Sequence, residues 1–274
     1  MSNTILITGS STGIGRATAK LFLENGWNVI ATMRTPENET ELNGYDNALV
    51  TRLDVTDSDS IKAAIEAGIS QFGSIDALLN NAGYGAYGPL EAFPMDNIRR
   101  QFDTNVIGLL ETTQAILPHM RSKQAGTIVN ISSIGGKMTF PLGTLYHGTK
   151  FAVEGLSESL HFELEPVGIK VKIVEPGMIN TDFAGRSFDF RNDESLSEYQ
   201  STVGKLMAAW GDPEMMKNAS EPEVVAEVIW TAVTDGTNTL RYTAGEDARE
   251  IVANRKALDD ETFIGGMKAQ MGLS

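Results

Sequence analysis

The chain alternates between short β-branched runs and stretches with helical patterning, and this alternation constrains its fold more than any other feature. The runs "TILIT" (4–8), "NVIAT" (28–32) and "ALVTRLDV" (48–55) predict the first three strands. Helical patterns at 14–25 and 57–73 separate or follow them, each ending near a glycine. Such alternation is typical of βαβ units around a parallel sheet. We therefore predict an α/β fold with a doubly wound parallel sheet.

The alternation continues to about residue 177 and then breaks. The further predicted elements are a strand at 76–83, a largely helical stretch at 95–123, a strand at 126–133, a helix at 146–165 and a strand at 169–177. Residues 178–220 are rich in Phe and Met and interrupted by charges, which indicates an insertion over a ligand site. Residues 246–274 predict a terminal helix with a glycine-containing tail. Without repeats or Pro/Ser-rich linkers, we predict one domain over 1–274.

Composition limits the classes of function. The 274 residues suffice for one large α/β domain, although length alone leaves two small domains open. A formal net charge of −14 makes the chain a poor candidate for binding nucleic acid or anionic membranes. The absence of cysteine excludes disulfides and thiolate chemistry. We find no secretory signal and no apolar run near the roughly 20 residues that span a bilayer, so we expect a cytoplasmic protein.

A glycine-rich turn follows the first predicted strand. In "TGSSTGIG" (8–15), Gly9 permits a tight turn, Gly13 permits close approach of the backbone to a phosphate, and Gly15 permits helix–sheet packing. The following helix N-terminus can bind a pyrophosphate with its unpaired N–H groups. The motif predicts a dinucleotide site, and a glycine turn without a ligand is the alternative.

Three motifs in register identify a family. The TGxxxGxG spacing of the turn, "NNAG" at 80–83 and YxxxK at 146–150 together resemble the short-chain dehydrogenase/reductase family, in its standard branch. The resemblance implies a Rossmann-type sheet of seven strands flanked by helices. It also implies an oxidoreductase that interconverts a ketone or aldehyde and an alcohol with a nicotinamide cofactor. Several further stretches are similar to 17β-hydroxysteroid and retinol dehydrogenases and to bacterial carbonyl reductases.

Four residues match the catalytic positions of this family. Tyr146 and Lys150 share a helix face, so the ammonium can lower the pKa of the phenol. The resemblance implies that Tyr146 is the acid/base and that Lys150 also binds the nicotinamide ribose. Ser133 would orient the substrate oxygen, with Ser132 as the alternative. Asn105 would hold a proton-relaying water, or its side chain could simply be satisfied by neighbouring backbone.

Residues at the end of the second predicted strand indicate which cofactor is preferred. NAD-selective folds place an acidic residue about 20 residues beyond the glycine turn, but Thr32 stands there. Arg34 follows and can bind a 2′-phosphate, with the hydroxyl of Ser11 adding a contact. We therefore predict that NADP(H) is preferred over NAD(H), although Glu37 and Glu39 lie close enough to temper this. The alternative is that Arg34 is a solvated loop charge.

The resemblance assigns further positions to cofactor binding. They are Ile14 after the turn, Asp54 and Val55 at the adenine, Asn81 and Gly83 of "NNAG", and Pro176, Gly177, Ile179 and Thr181 of "EPGMINT". Asp54 could also cap the following turn. His119, His147 and His161 lack metal-ligand spacing, so we predict no catalytic metal and assign His147 to packing or surface.

The remaining aromatic and Met residues predict the substrate class and competing functions. A candidate apolar pocket comprises Tyr84, Tyr87, Phe140, Met178, Phe183, Phe188, Phe190, Met207 and Trp210. It favours a small-molecule apolar or aromatic carbonyl compound or its alcohol. A dehydrogenase for a sterol- or retinoid-like alcohol and a non-catalytic NADP(H)-binding sensor are the alternatives. The resemblance implies a homodimer or homotetramer through helices at about 95–123 and 146–165.

Overall fold

The computed structural model describes residues 2–211, 217 and 219–273. Its centre is a parallel sheet of seven strands in the order β3-β2-β1-β4-β6-β7-β9. A separate pair of short parallel strands is formed by β5 and β8. The strands are β1 (Thr4–Ile7), β2 (Asn28–Met33), β3 (Ala48–Arg52), β4 (Ala77–Asn80), β5 (Gly85–Tyr87), β6 (Gly126–Ile131), β7 (Ile169–Pro176), β8 (Phe188–Phe190) and β9 (Arg241–Ala244).

Helices cover both faces of the large sheet. They are α1 (Gly13–Glu24), α2 (Ser58–Phe72), α3 (Met95–Phe102), α4 (Gly108–Lys123), α5 (Thr144–Leu164), α6 (Ser197–Trp210), α7 (Pro222–Thr234), α8 (Glu246–Ala257) and α9 (Asp260–Gln270). Phe22 of α1 and Ile229 of α7 belong to the core on one face. Ile61 of α2 and Ile116 of α4 belong to the core on the other. The predicted doubly wound, Rossmann-type fold in one domain is confirmed.

The central strands are buried from end to end. All four residues of β1 and of β4 are buried, because helices exclude water from both faces of the sheet. β1 pairs with β2 on one side and β4 on the other, so the order of strands reverses between β1 and β4. In open α/β sheets, ligands bind at the carboxyl ends of the strands beside such a reversal.

The helical stretch predicted at 95–123 is not one helix. A π-helical turn at Asp103–Ile107 separates α3 from α4. Asn105 lies inside this turn, and a residue with poor intrinsic helix propensity is compatible with such a bend. The turn therefore interrupts the regular α-helical geometry at Asn105.

The C-terminal prediction needs a correction. Residues 246–273 form two helices rather than one, because the extended backbone of Leu258 ends α8. The Asp259 side chain then accepts a hydrogen bond from Thr262 N at 2.8 Å and starts α9. The final residue, 274, lies outside the described residues.

Residues 178–220 contain regular structure that the sequence did not predict. β8 pairs with β5, and α6 follows it. Residues 212–216 and 218 of this segment lie outside the described residues. No helix in the described part of the chain is both long and apolar enough to cross a membrane.

Candidate active site

The predicted motifs meet at one edge of the sheet. The glycine-rich turn follows β1, "NNAG" begins at the end of β4, Ser133 follows β6, and residues 177–181 follow β7. These are the carboxyl ends of neighbouring parallel strands, so motifs far apart in sequence become neighbours. The order of the strands in the sheet therefore brings the residues of the candidate site together.

The glycine-rich turn has the geometry of a phosphate cradle. Gly9 and Gly13 adopt positive φ angles of 72° and 55°, which favour glycine. A Cβ at Gly15 would lie only 2.3 Å from the carbonyl oxygen of Gly9. The side chain of Thr12 makes no capping hydrogen bond to α1, so no side-chain cap occupies the N–H groups of its first turn. These residues fit a dinucleotide pyrophosphate.

The "NNAG" segment holds this turn in place. The Asn81 side chain donates to the carbonyl oxygens of Thr8 at 2.9 Å and Gly9 at 3.1 Å. In return, Thr8 Oγ1 accepts hydrogen bonds from the backbone N–H groups of Asn81 and Ala82, both at 3.0 Å. The side-chain amide of Asn81 therefore stabilises the conformation of the glycine-rich turn.

Tyr146 and Lys150 lie together in the interior, on α5. Tyr146 is 9% exposed, and Lys150 Nζ lies 5.8 Å from the centroid of the Tyr146 ring. Nζ also donates to the carbonyl oxygen of Ile131, at the end of β6, at 2.8 Å. This hydrogen bond ties the lysine head group to the edge of the sheet where the other motifs meet.

The electrostatics of this pair differ from the sequence prediction. Burial raises the pKa of the Tyr146 phenol, and hydrogen bonding with Ser133 only opposes this. Burial lowers the pKa of Lys150 to about 8, against the opposing charge of Glu154. The predicted lowering of the Tyr146 pKa by Lys150 is thus wrong for this structure, because removing the phenol from water outweighs it. At neutral pH the phenol is protonated and the lysine is charged.

The two serines after β6 have different environments. Hydrogen bonding links Ser133 to Tyr146, and Ser133 Oγ also accepts from Gly135 N at 3.0 Å. Ser132 Oγ is buried and has no hydrogen-bond partner among the described residues, and it would lie 2.6 Å from a Cβ at Gly136. Of the two hydroxyls, that of Ser133 is associated with the tyrosine.

The Asn105 side chain is occupied by protein groups. Its Oδ1 accepts from Tyr84 N at 3.1 Å, and its Nδ2 donates to Tyr84 O at 2.8 Å. Nδ2 also donates to Thr149 Oγ1, which itself donates to Tyr146 O at 2.7 Å. This matches the alternative in which neighbouring backbone satisfies the side chain, and the water-holding role stays a prediction.

His147 is a packing residue, as one of the two predictions had it. It is 2% exposed, and burial lowers its pKa, which favours the neutral ring. Its Nε2 accepts from Phe140 N at 2.9 Å, and its Nδ1 lies 3.0 Å from Gly135 O. A neutral ring with the proton on Nδ1 can make both hydrogen bonds. These bonds stabilise the loop between β6 and α5.

Residues 177–181, which follow β7, contact Asp247 on one side and the glycine-rich turn on the other. Asp247, which the sequence reasoning did not single out, accepts from Met178 N at 2.7 Å. Thr181 lies against the glycine-rich turn, since its Cγ2 would be 3.2 Å from a Cβ at Gly13. The side chain of Thr181 also accepts from Phe183 N and starts the next turn. Residues 177–181 therefore border the cofactor cradle.

An aromatic cluster adjoins Tyr146. Tyr87 lies at its centre, and three rings surround it at centroid distances of 5.4 Å for Tyr146, 5.3 Å for Phe188 and 5.3 Å for Trp210. Phe183 contacts Tyr146 at 5.7 Å. Phe190 extends the cluster by stacking on Phe188 at 6.2 Å. These rings come from β5, α5, α6 and residues 183–190, so folding assembles them around the phenol.

Three residues of the predicted pocket, Tyr84, Met207 and Phe140, lie outside the Tyr87 cluster. The Tyr84 ring packs under the Arg100 guanidinium at 5.0 Å, and its hydroxyl accepts from Arg100 Nε. Met207 is 46% exposed on α6. Phe140 packs beside His147 instead of in the Tyr87 cluster, and Met178 is half-buried. The predicted pocket is therefore smaller and more aromatic than the sequence suggested.

Arg34 is an exposed cation, and its contact with a cofactor stays a prediction. Thr32, at the usual acidic position, is fully buried and donates to Ile7 O at 2.9 Å. Arg34 is exposed and makes no hydrogen bond or ion pair with any residue that the structure describes. Glu39 is paired with Arg16 at 2.9 Å, so its charge is compensated.

The predicted adenine contacts are partly occupied by local structure. Asp54 Oδ1 accepts from Thr56 N at 3.0 Å and from Thr56 Oγ1 at 2.8 Å, so the carboxylate caps the turn as the alternative held. Val55 is buried against Gly108. Gly83 packs close to the Asn105 side chain, at 3.2 Å from an added Cβ. Contacts of these residues with a cofactor stay predictions.

Comparison with known proteins shows the family. A family model described as short chain dehydrogenase matches residues 3–192. An uncharacterised oxidoreductase of Schizosaccharomyces pombe is 46% identical over 246 residues, covering 88% of this chain and 100% of its own. A 3-ketodihydrosphingosine reductase of Bacteroides thetaiotaomicron is 44% identical over 193 residues, covering 70% of this chain and 68% of its own.

Solved structures agree with this result. A short-chain dehydrogenase from Streptomyces avermitilis superposes with a TM-score of 0.84 at 32% identity, covering 100% of this chain and 99% of its own. ElxO with NADP bound gives a TM-score of 0.73 at 30% identity, covering 89% and 97%. The protein belongs to the short-chain dehydrogenase/reductase family and is an oxidoreductase. Its fold and an NADP-bound neighbour support use of a nicotinamide cofactor.

Proposed function

We propose that this protein is an NADP(H)-dependent carbonyl reductase that interconverts an apolar or aromatic ketone or aldehyde and its alcohol. The observation that carries the proposal is the position of the Tyr146 phenol. It lies between the charged Lys150, the Ser133 hydroxyl and an aromatic cluster, at the sheet edge that bears the glycine-rich turn. An acid, an orienting donor and an apolar contact surface are the elements that carbonyl reduction requires.

The chemistry of the residues follows from their protonation states. The phenol of Tyr146 is protonated at neutral pH because burial raises its pKa, so it can donate a proton to a carbonyl oxygen. Ser133 hydrogen-bonds the same oxygen as negative charge develops on it. Lys150 carries a positive charge below about pH 8 and stabilises negative charge near the phenol. When bound, the nicotinamide supplies or accepts the hydride. In the reverse direction, Tyr146 accepts the alcohol proton.

The residues that would hold the cofactor line one continuous edge. The cradle of Gly9, Gly13, Ile14 and Gly15 would take the pyrophosphate. Arg34 and Ser11 would bind the 2′-phosphate, which would give a preference for NADP(H). The remaining predicted contacts are Asp54 and Val55 at the adenine, Asn81, Gly83 and Lys150 along the crevice, and Pro176, Gly177, Ile179 and Thr181 at the nicotinamide.

The aromatic cluster supports the substrate class. Flat or apolar carbonyl compounds gain buried area and offset stacking against rings such as Tyr87 and Phe188. Residues 178–220 supply several of these rings, so we propose that this segment covers the substrate. The sterol- or retinoid-specific dehydrogenase stays the second candidate, because the same apolar rings suit such alcohols. A sensor without catalysis would not need Ser133, Tyr146 and Lys150 in one place.

The proposal includes an oligomer. Five large apolar side chains on the stretch from α3 to α5 are exposed in the single chain, namely Met95 at 57%, Phe102 at 37%, Ile107 at 51%, Phe151 at 46% and Phe162 at 70%. These residues lie on the stretches for which the family resemblance implies subunit contacts. We therefore propose a homodimer or homotetramer through this surface. A cytoplasmic location stays a prediction from composition.

A cofactor-oxidation assay tests the function. Purified protein would be mixed with NADPH or NADH and a panel of aromatic ketones, aliphatic aldehydes, sterol ketones and retinal. The proposal expects loss of NADPH absorbance with aromatic or apolar carbonyls and a slower reaction with NADH. Activity confined to sterol or retinoid substrates would select the second candidate. Tight NADPH binding without turnover of any compound would favour the sensor.

A further inference from the structure

Arg186 connects the substrate-covering segment to the cofactor cradle. Its Nη2 donates to Ser11 Oγ at 3.1 Å and to Thr12 Oγ1 at 2.8 Å, across 175 and 174 residues of chain. The backbone beside it is anchored, since Gly85 N donates to Ser187 O at 2.9 Å where β5 and β8 begin to pair. The arginine is thus held over the glycine-rich turn by the segment that carries the aromatic rings.

The charge of Arg186 is not balanced by a carboxylate. The chain has 36 acidic and 22 basic residues, yet Arg186 forms no ion pair with any described residue. Arg16, on the other side of the turn, pairs with both Glu39 and Glu41 at 2.9 Å. A guanidinium interacts more strongly with an anion than with the neutral hydroxyls that Arg186 contacts. An anionic partner would therefore complete this contact.

The helix end beneath Arg186 is also positive. Ser11 and Thr12 directly precede α1, whose first turn contains no acidic residue and no capping side chain. Unpaired N–H groups and the helix dipole give this end a partial positive charge. A cation placed over it without an anion is unfavourable. Two independent positive features therefore converge on one point, and a single negatively charged group would stabilise both.

We propose that Arg186 binds the pyrophosphate of the dinucleotide and thereby fixes residues 182–190 over the cofactor. This inference rests on the proposed function. The fork of the guanidinium matches phosphate oxygens. Because Phe183 and Phe188 of the same segment contact Tyr146 and Tyr87, cofactor binding would also stabilise the aromatic cluster.

Binding measurements separate Arg186 from Arg34. Calorimetric Kd values for NADPH, NADH and ADP-ribose would be compared in wild type, Arg186→Ala, Arg186→Lys and Arg34→Ala. All three ligands contain the pyrophosphate, so we expect Arg186→Ala to weaken each by about tenfold. Arg186→Lys should lose less, and Arg34→Ala should weaken NADPH alone. Arg191→Ala is the matched control, because Arg191 is in the same segment but pairs with Asp189.

The outcomes distinguish this contact from the function on which it rests. Weakening of NADPH alone in Arg186→Ala would overturn the pyrophosphate assignment, and unchanged Kd values would overturn the contact altogether. Wild-type protein that binds neither dinucleotide would overturn both this inference and the proposed function. Hydrogen exchange gives a second readout. ADP-ribose should protect residues 182–190 in wild type and Arg191→Ala but not in Arg186→Ala, and equal protection in all three would contradict the coupling.

Discussion

Lys150 Nζ lies 5.8 Å from the centroid of the Tyr146 ring, and both side chains are buried. Burial changes their pKa values in opposite directions, raising that of the phenol and lowering that of the ammonium to about 8. Each change disfavours the charged form of its group, as removal from water requires. At neutral pH the pair therefore suits donation of a proton by Tyr146 to a carbonyl. As the pH rises, Lys150 loses its proton before Tyr146 does.

This relationship predicts the pH dependence of reduction. Below about pH 8, Lys150 keeps its charge, and above it the amine becomes neutral. We expect kcat/KM for carbonyl reduction to fall as the pH rises through about 8, measured at saturating NADPH. The effect of Lys150 on stability does not produce such a fall. Between pH 8 and its ordinary pKa near 10.5, Lys150 binds more protons in the unfolded chain, so its contribution to stability rises with pH. A flat profile from pH 7 to 9 would contradict this role.

The two serines provide a paired prediction. Ser133→Ala removes a hydroxyl associated with Tyr146, and loss of one such donor should lower kcat by about 100-fold. Ser132→Ala removes a buried hydroxyl that makes no hydrogen bond in the described structure, so it should change neither kcat nor the melting temperature appreciably. Parallel steady-state kinetics and thermal melts test this. The reverse order of effects would move the assignment to Ser132.

Cofactor preference depends on Arg34. We expect Arg34→Ala to raise the KM for NADPH by about tenfold or more, because a charge-assisted contact to the 2′-phosphate is lost. The KM for NADH should stay unchanged. Arg52→Ala is the control, since Arg52 ends the neighbouring strand and pairs with Asp57. Equal or better efficiency of the wild-type enzyme with NADH would contradict the preference.

The proposed subunit interface is tested by charge. Phe151→Glu combined with Phe162→Glu places two carboxylates on an exposed apolar surface, and a buried unpaired charge is unfavourable. Light scattering after size exclusion should show the wild type as a dimer or tetramer and the double variant as smaller. Leu258→Glu, at an exposed apolar residue elsewhere, should leave the mass unchanged. A monomeric wild type would be inconsistent with the interface.

Local signals explain which parts of the fold the sequence predicts. The start of α2 is encoded by Asp57, whose side chain caps it, and its end by Gly73 at φ 81°. The buried strands are likewise predicted from short β-branched runs. β9 was missed because its four residues, three half-buried and one buried, give little periodicity. The break between α8 and α9 was missed because helical composition continues across it.

The candidate site likewise contains residues that the sequence predicts and contacts that it does not. Gly9, Tyr146 and Lys150 belong to local motifs and could be placed from their spacing. The contacts of Asp247 with Met178 and of Arg186 with Ser11 span 69 and 175 residues, so only the folded chain reveals them. The pKa of Tyr146 was mispredicted for a related reason. The sequence shows the nearby ammonium, whereas the burial that dominates the pKa depends on packing.

The most direct test of the central claim is the rate of NADPH-dependent carbonyl reduction by Tyr146→Phe. Tyr45→Phe is the matched control, because the Tyr45 hydroxyl makes no hydrogen bond with a described residue and lies outside the aromatic cluster. Loss of a general acid should lower kcat by roughly 10²–10⁴ while the Kd for NADPH stays within a few-fold of wild type. Tyr45→Phe should keep the wild-type rate. Reduction by Tyr146→Phe at close to the wild-type rate would contradict the account.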